Sequence, residues 1–145
     1  MREINAEGLQ IIKDSEGLCL ERYVCPGGYP TIGYGHRILD DEGFIKITEE
    51  QAEMLLKEDI EKVSKQLSVY CKDIPLNDNQ WSALVSFVYN LGIVAFRAST
   101  LYAKLHRGDY IGAAREFPRW THAAGKILTG LKKRREKEKE LFLAG

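Results

Sequence analysis

Hydrophobic positions change their period along this chain, and the changes divide it into segments. Near the start, Leu9, Ile11 and Ile12 form an apolar stripe behind Asn5, whose side chain can cap a helix. Ile4 and Leu9 are spaced as a hydrophobic staple. The helical pattern runs out at Asp14-Ser15-Glu16-Gly17. From Leu18 to Ile47 glycines and prolines (Pro26, Gly27, Gly28, Pro30, Gly33, Gly35, Gly43) punctuate Tyr, Ile, Val and Thr, which predicts short strands and tight turns. Helical period returns at the capping box Thr48-Glu49-Glu50-Gln51, and Ala52, Leu55, Leu56, Ile60, Val63 and Leu67 then repeat on one face. Asn77 with Gln80 gives a second capping signal before the segment Trp81–Gly92, which is apolar on most faces and predicts a buried central helix. Shorter helices are predicted near 99–106 and 109–117, the second capped by Asp109, and a last one after Thr129 reaches Leu141 and Phe142.

The pattern is that of an α+β fold. A small N-terminal sheet lobe over about 12–47 is joined by a connecting helix over about 48–70 to a helical lobe. That second lobe comprises about 71–145 together with the N-terminal helix. Two lobes on one long helix leave a cleft between them where a ligand is expected. There is no internal repeat, low-complexity tract or linker.

Composition narrows the classes. With 145 residues, 44% of them hydrophobic, the chain is sized for one folded domain. No apolar run approaches the roughly 20 residues that span a bilayer. The N-terminus lacks the apolar core of a signal peptide, so synthesis and residence in the cytoplasm are expected. Net charge is zero, but the basic residues concentrate in the second half. Such a half could lean on an anionic polymer, although a solvated helix face explains the same run. Cys19, Cys25 and Cys71 form no metal-ligand spacing and are expected as free thiols.

Glu16 ends the first helix just before Gly17. At the mouth of a cleft, a partly desolvated carboxylic acid can keep a proton near neutral pH and donate it. A lone Glu at a helix end is more often a surface charge. What distinguishes this one is its company. Nine residues on stands Cys25, six further stands Thr31, and Ile32-Gly33-Tyr34-Gly35-His36 follows.

That spacing resembles the signature of the phage lysozymes of glycoside hydrolase family 24. Similar in the same order are Ala83–Phe87 with Asn90-Leu91-Gly92, then Ser99-Thr100-Leu101. Gly108-Asp109-Tyr110 with Ala113-Ala114 follows, then Arg119-Trp120, Gly125-Lys126, and Gly130-Leu131 with Arg134-Arg135-Glu136. The resemblance implies a lysozyme-like fold and hydrolysis of the β-1,4 bond between N-acetylmuramic acid and N-acetylglucosamine. It makes Glu16 the general acid and Thr31 the hydroxyl holding a water on the opposite face of the sugar. Glycosidases that place water there separate the two working groups by roughly 6.5–9.5 Å. The family's second catalytic position is usually Asp, and here it is Cys25. A thiol of reference pKa about 8.5 is mostly uncharged at neutral pH. Three roles stay open for it: a variant that positions water or partly ionises, a covalent nucleophile, or a packing thiol.

By position in the motifs, Arg37, Tyr89, Thr100 and Arg134 are candidate substrate contacts, Arg134 also as a partner for Glu16. His36 is expected to be structural and paired with a carboxylate, and Gly33 and Gly35 serve the turn or a close approach to sugar. Glu136, Glu138 and Glu140 sit at helical spacings from the basic run, so a surface salt-bridge lattice is expected there. Trp81 and Trp120 could stack on sugars or fill the core. No metal or organic cofactor is implied. The resemblance implies a monomer that acts on peptidoglycan after a holin-type membrane permeabiliser gives access, binding neither nucleic acid nor membrane. A lytic transglycosylase on the same bond and a non-catalytic wall-binding module are the alternatives, with a nucleic-acid binder further off because no recognition motif is present.

Overall fold

The computed structural model describes residues 2–25, 27–123 and 126–145. Pro26 and Gly125, placed above in a turn and in a family motif, lie outside the described residues. The described elements are α1 (Ala6–Glu16), β1 (Cys19–Val24), β2 (Pro30–Gly33), β3 (His36–Arg37), α2 (Glu49–Tyr70), α3 (Asp78–Leu91) and α4 (Ile93–Arg97). They continue with α5 (Thr100–His106), α6 (Tyr110–Glu116), a 3-10 turn (Phe117–Arg119), β4 (His122–Ala123), β5 (Lys126–Ile127) and α7 (Thr129–Leu143).

The helix starts fall where the capping residues stand. Asn5 accepts from the Gly8 amide, Thr48 and Asn77 each close a reciprocal capping box with Gln51 and Gln80, and Asp109 accepts from Gly112. α1 ends at Glu16 because Gly17 takes φ 69°, a left-handed backbone that does not continue the helix. The sheet lobe therefore begins at Cys19, and the boundary drawn near residue 12 falls inside α1, whose polar last turn gives no apolar period to follow. α4 and the short β4–β5 hairpin were not foreseen, since five and two residues are too few to show a period.

Two apolar cores are stacked along α2. The smaller one holds Ile32, Ile38, Ile47, Ala52 and Leu55, between sheet and helix. The larger holds Leu56, Ile60 and Leu67 of α2 with Ile11 and Ile12, most of α3, and Leu141 and Phe142 of α7. α2 is thus a shared wall: its N-terminal half carries the sheet and its C-terminal half carries the helical lobe. α3 is buried from Trp81 to Val88, with α1, α2 and α7 packed around it.

The α1–α3 contact is close because position 8 has no side chain. A Cβ on Gly8 would lie 2.7 Å from Ser82 Cβ and 3.0 Å from the Ser82 carbonyl oxygen. Gly8→Ala gains helix propensity but forces the two helices apart, so a net loss of about 1–2 kcal/mol is expected in chemical denaturation. A variant as stable as the parent would contradict that close fit.

Candidate active site

Glu16 is delivered by the helical lobe and Thr31 by the sheet. Glu16 is the last residue of α1, which packs on α3 and α7. Its side chain is 21% exposed, and its Oε2 accepts from Arg134 Nη1 at 2.7 Å. Arg134 is itself almost wholly buried. Its Nη2 donates to the Ser86 carbonyl at 3.0 Å and its Nε to Glu138 Oε2 at 3.3 Å.

The other carboxylate oxygen of Glu16 meets the β2–β3 turn. Gly35 has φ 74°, and a Cβ there would lie 2.5 Å from Glu16 Oε1. Glycine at this position satisfies the left-handed turn and leaves Oε1 its space. The turn is fixed in turn by Tyr89 of α3, whose hydroxyl donates to the Tyr34 carbonyl at 2.7 Å.

Cross-strand partners in an antiparallel sheet share a face. Tyr23, Thr31 and Arg37 pair across the three strands and so lie on one face, while Ile32 and His36 lie on the other, toward α2. Thr31 is buried and its hydroxyl donates to the Tyr29 carbonyl at 2.9 Å. Cys25 closes the same hairpin, its amide donating to Tyr29 O at 3.0 Å and its carbonyl accepting from Gly28 at 2.8 Å. Backbone hydrogen bonding around Tyr29 and then the Thr31 hydroxyl hold the Cys25 thiol below its ordinary pKa. Thr31 has one proton to give, so it serves either the Tyr29 carbonyl or a thiolate at Cys25. Burial pushes the Tyr23 hydroxyl up, and the negative charges of Cys19, Glu16 and Cys25 act in the same direction.

His36 joins the lobes from below. Its Nδ1 lies 2.7 Å from Asp59 Oδ2 on α2 and its Nε2 lies 3.0 Å from Glu42 Oε1. A protonated ring donates to both, and these bonds, Asp59 first, raise its pKa above 6.5 against the opposing effect of burial. Beside it is a cavity of about 300 Å³ between turn, α2 and α3, lined by Gly35, Arg37, Asp59, Lys62, Gln66 and Tyr89. Arg37 lies flat over the Tyr29 ring at 3.5 Å, so a cation is pinned at the cavity edge.

Several expectations change. Thr100 is exposed at the start of α5, which packs on α4 and α6, and it does not join the group around Glu16. Of the two roles open to the tryptophans, both take the core one: Trp81 is buried there, and Trp120 stands edge-on to Phe87 at 5.8 Å. The surface lattice on the last helix is overturned at three positions: Arg134, Arg135 and Glu138 are buried, Arg135 and Glu138 completely, while Glu136, Lys137 and Glu140 are exposed. Arg135 Nη1 faces Glu138 Oε1 at 2.9 Å, Nη2 donates to Asn90, and the guanidinium lies over Phe87 at 5.0 Å. Burial lowers the Arg135 pKa to about 10 despite the facing carboxylate. Period alone could not show this, because a stripe of charges one turn apart reads the same on a wet face and a dry one. Asp59, Glu42, Ser86 and Glu138 were missed as site residues, and only the i,i+3 and i,i+4 spacing of Glu138 from the arginines carried any signal.

The phage lysozyme family matches residues 13–138 of the chain. The chain belongs to that family. An endolysin of Acyrthosiphon pisum secondary endosymbiont phage 1 is 48% identical over 96% of this chain and 97% of its own length. The endolysin of Escherichia coli O157:H7 phage FAHEc1 is 37% identical with a TM-score of 0.85, covering 98% of this chain and 94% of that one. A point mutant of P22 lysozyme is 36% identical with a TM-score of 0.84, covering 99% of each chain. The mixed fold with its three-stranded antiparallel sheet is that of phage lysozymes, and this family member is a lysozyme-type enzyme.

The raised pKa of His36 means that its two ion pairs stabilise the fold fully below pH about 6.5 and that the contribution is lost as pH rises through the elevated value. Melting temperature should therefore decline over that window in the wild type, and His36→Asn should flatten the decline. Parallel melting curves for the two proteins across the window would speak against the ion pairs.

Proposed function

We propose that this phage lysozyme serves host-cell lysis by hydrolysing the β-1,4 bond between N-acetylmuramic acid and N-acetylglucosamine, with Glu16 as proton donor. The observation that carries this reading is the asymmetric anchoring of Glu16. Arg134 holds Oε2, and Oε1 is left toward the Gly35 turn, which follows the strand that carries Thr31. In the proposed step the scissile C–O bond breaks, and the leaving oxygen keeps the electron pair and takes the proton from Glu16. A water adds to the anomeric carbon from the side of Thr31 and Cys25 and loses its own proton to the Cys25 thiolate or to solvent.

The lowered pKa of Cys25 supports a thiol that orients water and partly ionises near the oxocarbenium-like charge. Tyr89, Arg37 and the cavity between turn and α2 are suited to hold the sugar chain, the tyrosine mainly by fixing the turn. Arg134 holds the acid rather than the glycan. We further propose that the enzyme acts as a monomer, is made in the host cytoplasm and reaches the wall through a holin-type permeabiliser. Among the described residues no helix is long and apolar enough to cross a membrane.

Glu16→Gln should reduce clearing of outer-membrane-permeabilised cells by at least about a hundredfold, the usual scale for losing a general acid. Clearing at the parental rate would remove Glu16 from the mechanism. Mass spectrometry of the digest tests bond and product together: reducing muramic acid ends indicate water attack, whereas 1,6-anhydro ends mean a lytic transglycosylase. Cys25→Asp should keep or raise activity by supplying a fixed negative charge near the developing cation. Its complete inactivation would mean that sulfur itself is required.

A further inference from the structure

Beneath the anchored Glu16 lies a second carboxylate that the reaction does not touch. Glu138 is fully buried on α7, one turn beyond Arg134. Its Oε2 accepts from Ser86 Oγ at 2.5 Å and from Arg134 Nε at 3.3 Å, and its Oε1 faces Arg135 Nη1 at 2.9 Å. The same Arg134 fork reaches Glu16 from Nη1. Four charges thus run in an alternating row, Glu16, Arg134, Glu138 and Arg135, and one guanidinium is shared between two carboxylates.

We infer that Glu138 is a positioning residue for the reaction, whose negative charge behind Arg134 opposes a second one on Glu16 and so sets the pH range over which Glu16 can hold a proton to donate. The inference rests on the proposed role of Glu16. Fields add, so an ionised Glu138 behind Arg134 repels a negative charge on Glu16 and offsets part of the attraction of the arginine, and in a largely buried site little solvent screens that repulsion. Were Glu138 neutral, that repulsion would vanish and the attraction of the two arginines would favour the Glu16 carboxylate over the acid. A donor is useful only while it carries its proton. Nature's placement of a buried anion behind the arginine therefore counteracts an ion pair that would otherwise keep the acid discharged.

Arg134 of α7 contacts Glu16 directly, and Arg135 of α7, Tyr89 of α3 and Tyr23 of β1 are ionisable groups near enough to interact with its charge. Burial pushes both tyrosines up, so they remain neutral near pH 7, and Arg135, lowered only to about 10, stays charged there. Around Glu138 stand the same two arginines and the Ser86 hydroxyl. Burial pushes the Glu138 carboxyl up, and Arg135, Arg134 and the Ser86 hydroxyl act against that; as an anion it is the group in this set whose charge opposes that of Glu16.

The test compares pH profiles of wall lysis for the full chain, Glu138→Gln and Glu138→Asp, with melting temperatures measured alongside. Glu138→Gln should move the alkaline limb of activity down by about half a pH unit or more, roughly a threefold loss of rate on that flank, while Glu138→Asp, which keeps the charge, stays near the parent. An unmoved limb in Glu138→Gln overturns the inference, whatever its melting temperature, as does an equal displacement in Glu138→Asp. If Glu138→Gln does not fold, carboxyl carbon-13 NMR titration of the folded wild type decides. Glu138 must stay ionised across the alkaline limb, and a protonated Glu138 there overturns the inference. Full lysis by Glu16→Gln would instead defeat the proton-donor reading itself, so the two failures are separate.

Discussion

Arg134 is the residue on which the site depends. Its planar fork donates to Glu16 at the end of α1, to the Ser86 carbonyl inside α3, and to Glu138 on its own helix. One side chain therefore ties together the three helices that form the floor of the helical lobe. An isolated buried guanidinium is several kcal/mol unfavourable, and two carboxylates with a backbone carbonyl offset that cost. The cation is placed where only a paired charge is tolerated, and it holds Glu16 in one orientation as a consequence.

Orientation of the acid has meaning only relative to the sheet, and α2 supplies that relation. Its first turns bury Ala52 and Leu55 under the strands, and its later turns bury Leu56, Ile60 and Leu67 under the helices. Asp59 lies at the start of the second stretch, between Leu56 and Ile60, and takes His36 from the strand side. Tyr89 then pins the turn that carries Gly35 against Glu16. The lobes meet through a helix, a histidine between two carboxylates, and a turn whose glycine makes room for the acid.

The hairpin opposite is polar by design of its register. Because Thr31 pairs with Tyr23 and Arg37, the face bearing the hydroxyl is the one turned from the apolar core of Ile32. Cys25 sits where that hairpin turns, surrounded by hydrogen-bond donors instead of apolar neighbours. This separates it from Cys71, a buried thiol pushed up to about 12 by desolvation. The two cysteines share a chemistry, and their surroundings push their thiols in opposite directions.

Much of the architecture was legible in the linear chain because it is local. Caps at Asn5, Thr48, Asn77 and Asp109 act within three residues, the apolar period of α2 and α3 within one turn, and the glycine-punctuated sheet within one hairpin. Glu16, Cys25 and Thr31 were found by a resemblance in spacing, and Arg134 by its place in the same motif. What the chain could not tell was which charges would be dry. Glu16 and Arg134 are 118 residues apart, and the burial of Glu138 depends on Ser86, 52 residues away, rather than on its own helix. Local pattern fixes where elements begin and which face is apolar. Only the packing of α1, α3 and α7 decided that a run of lysines, arginines and glutamates would turn three of its members inward, because desolvation is a property of neighbours brought together from distant parts of the sequence.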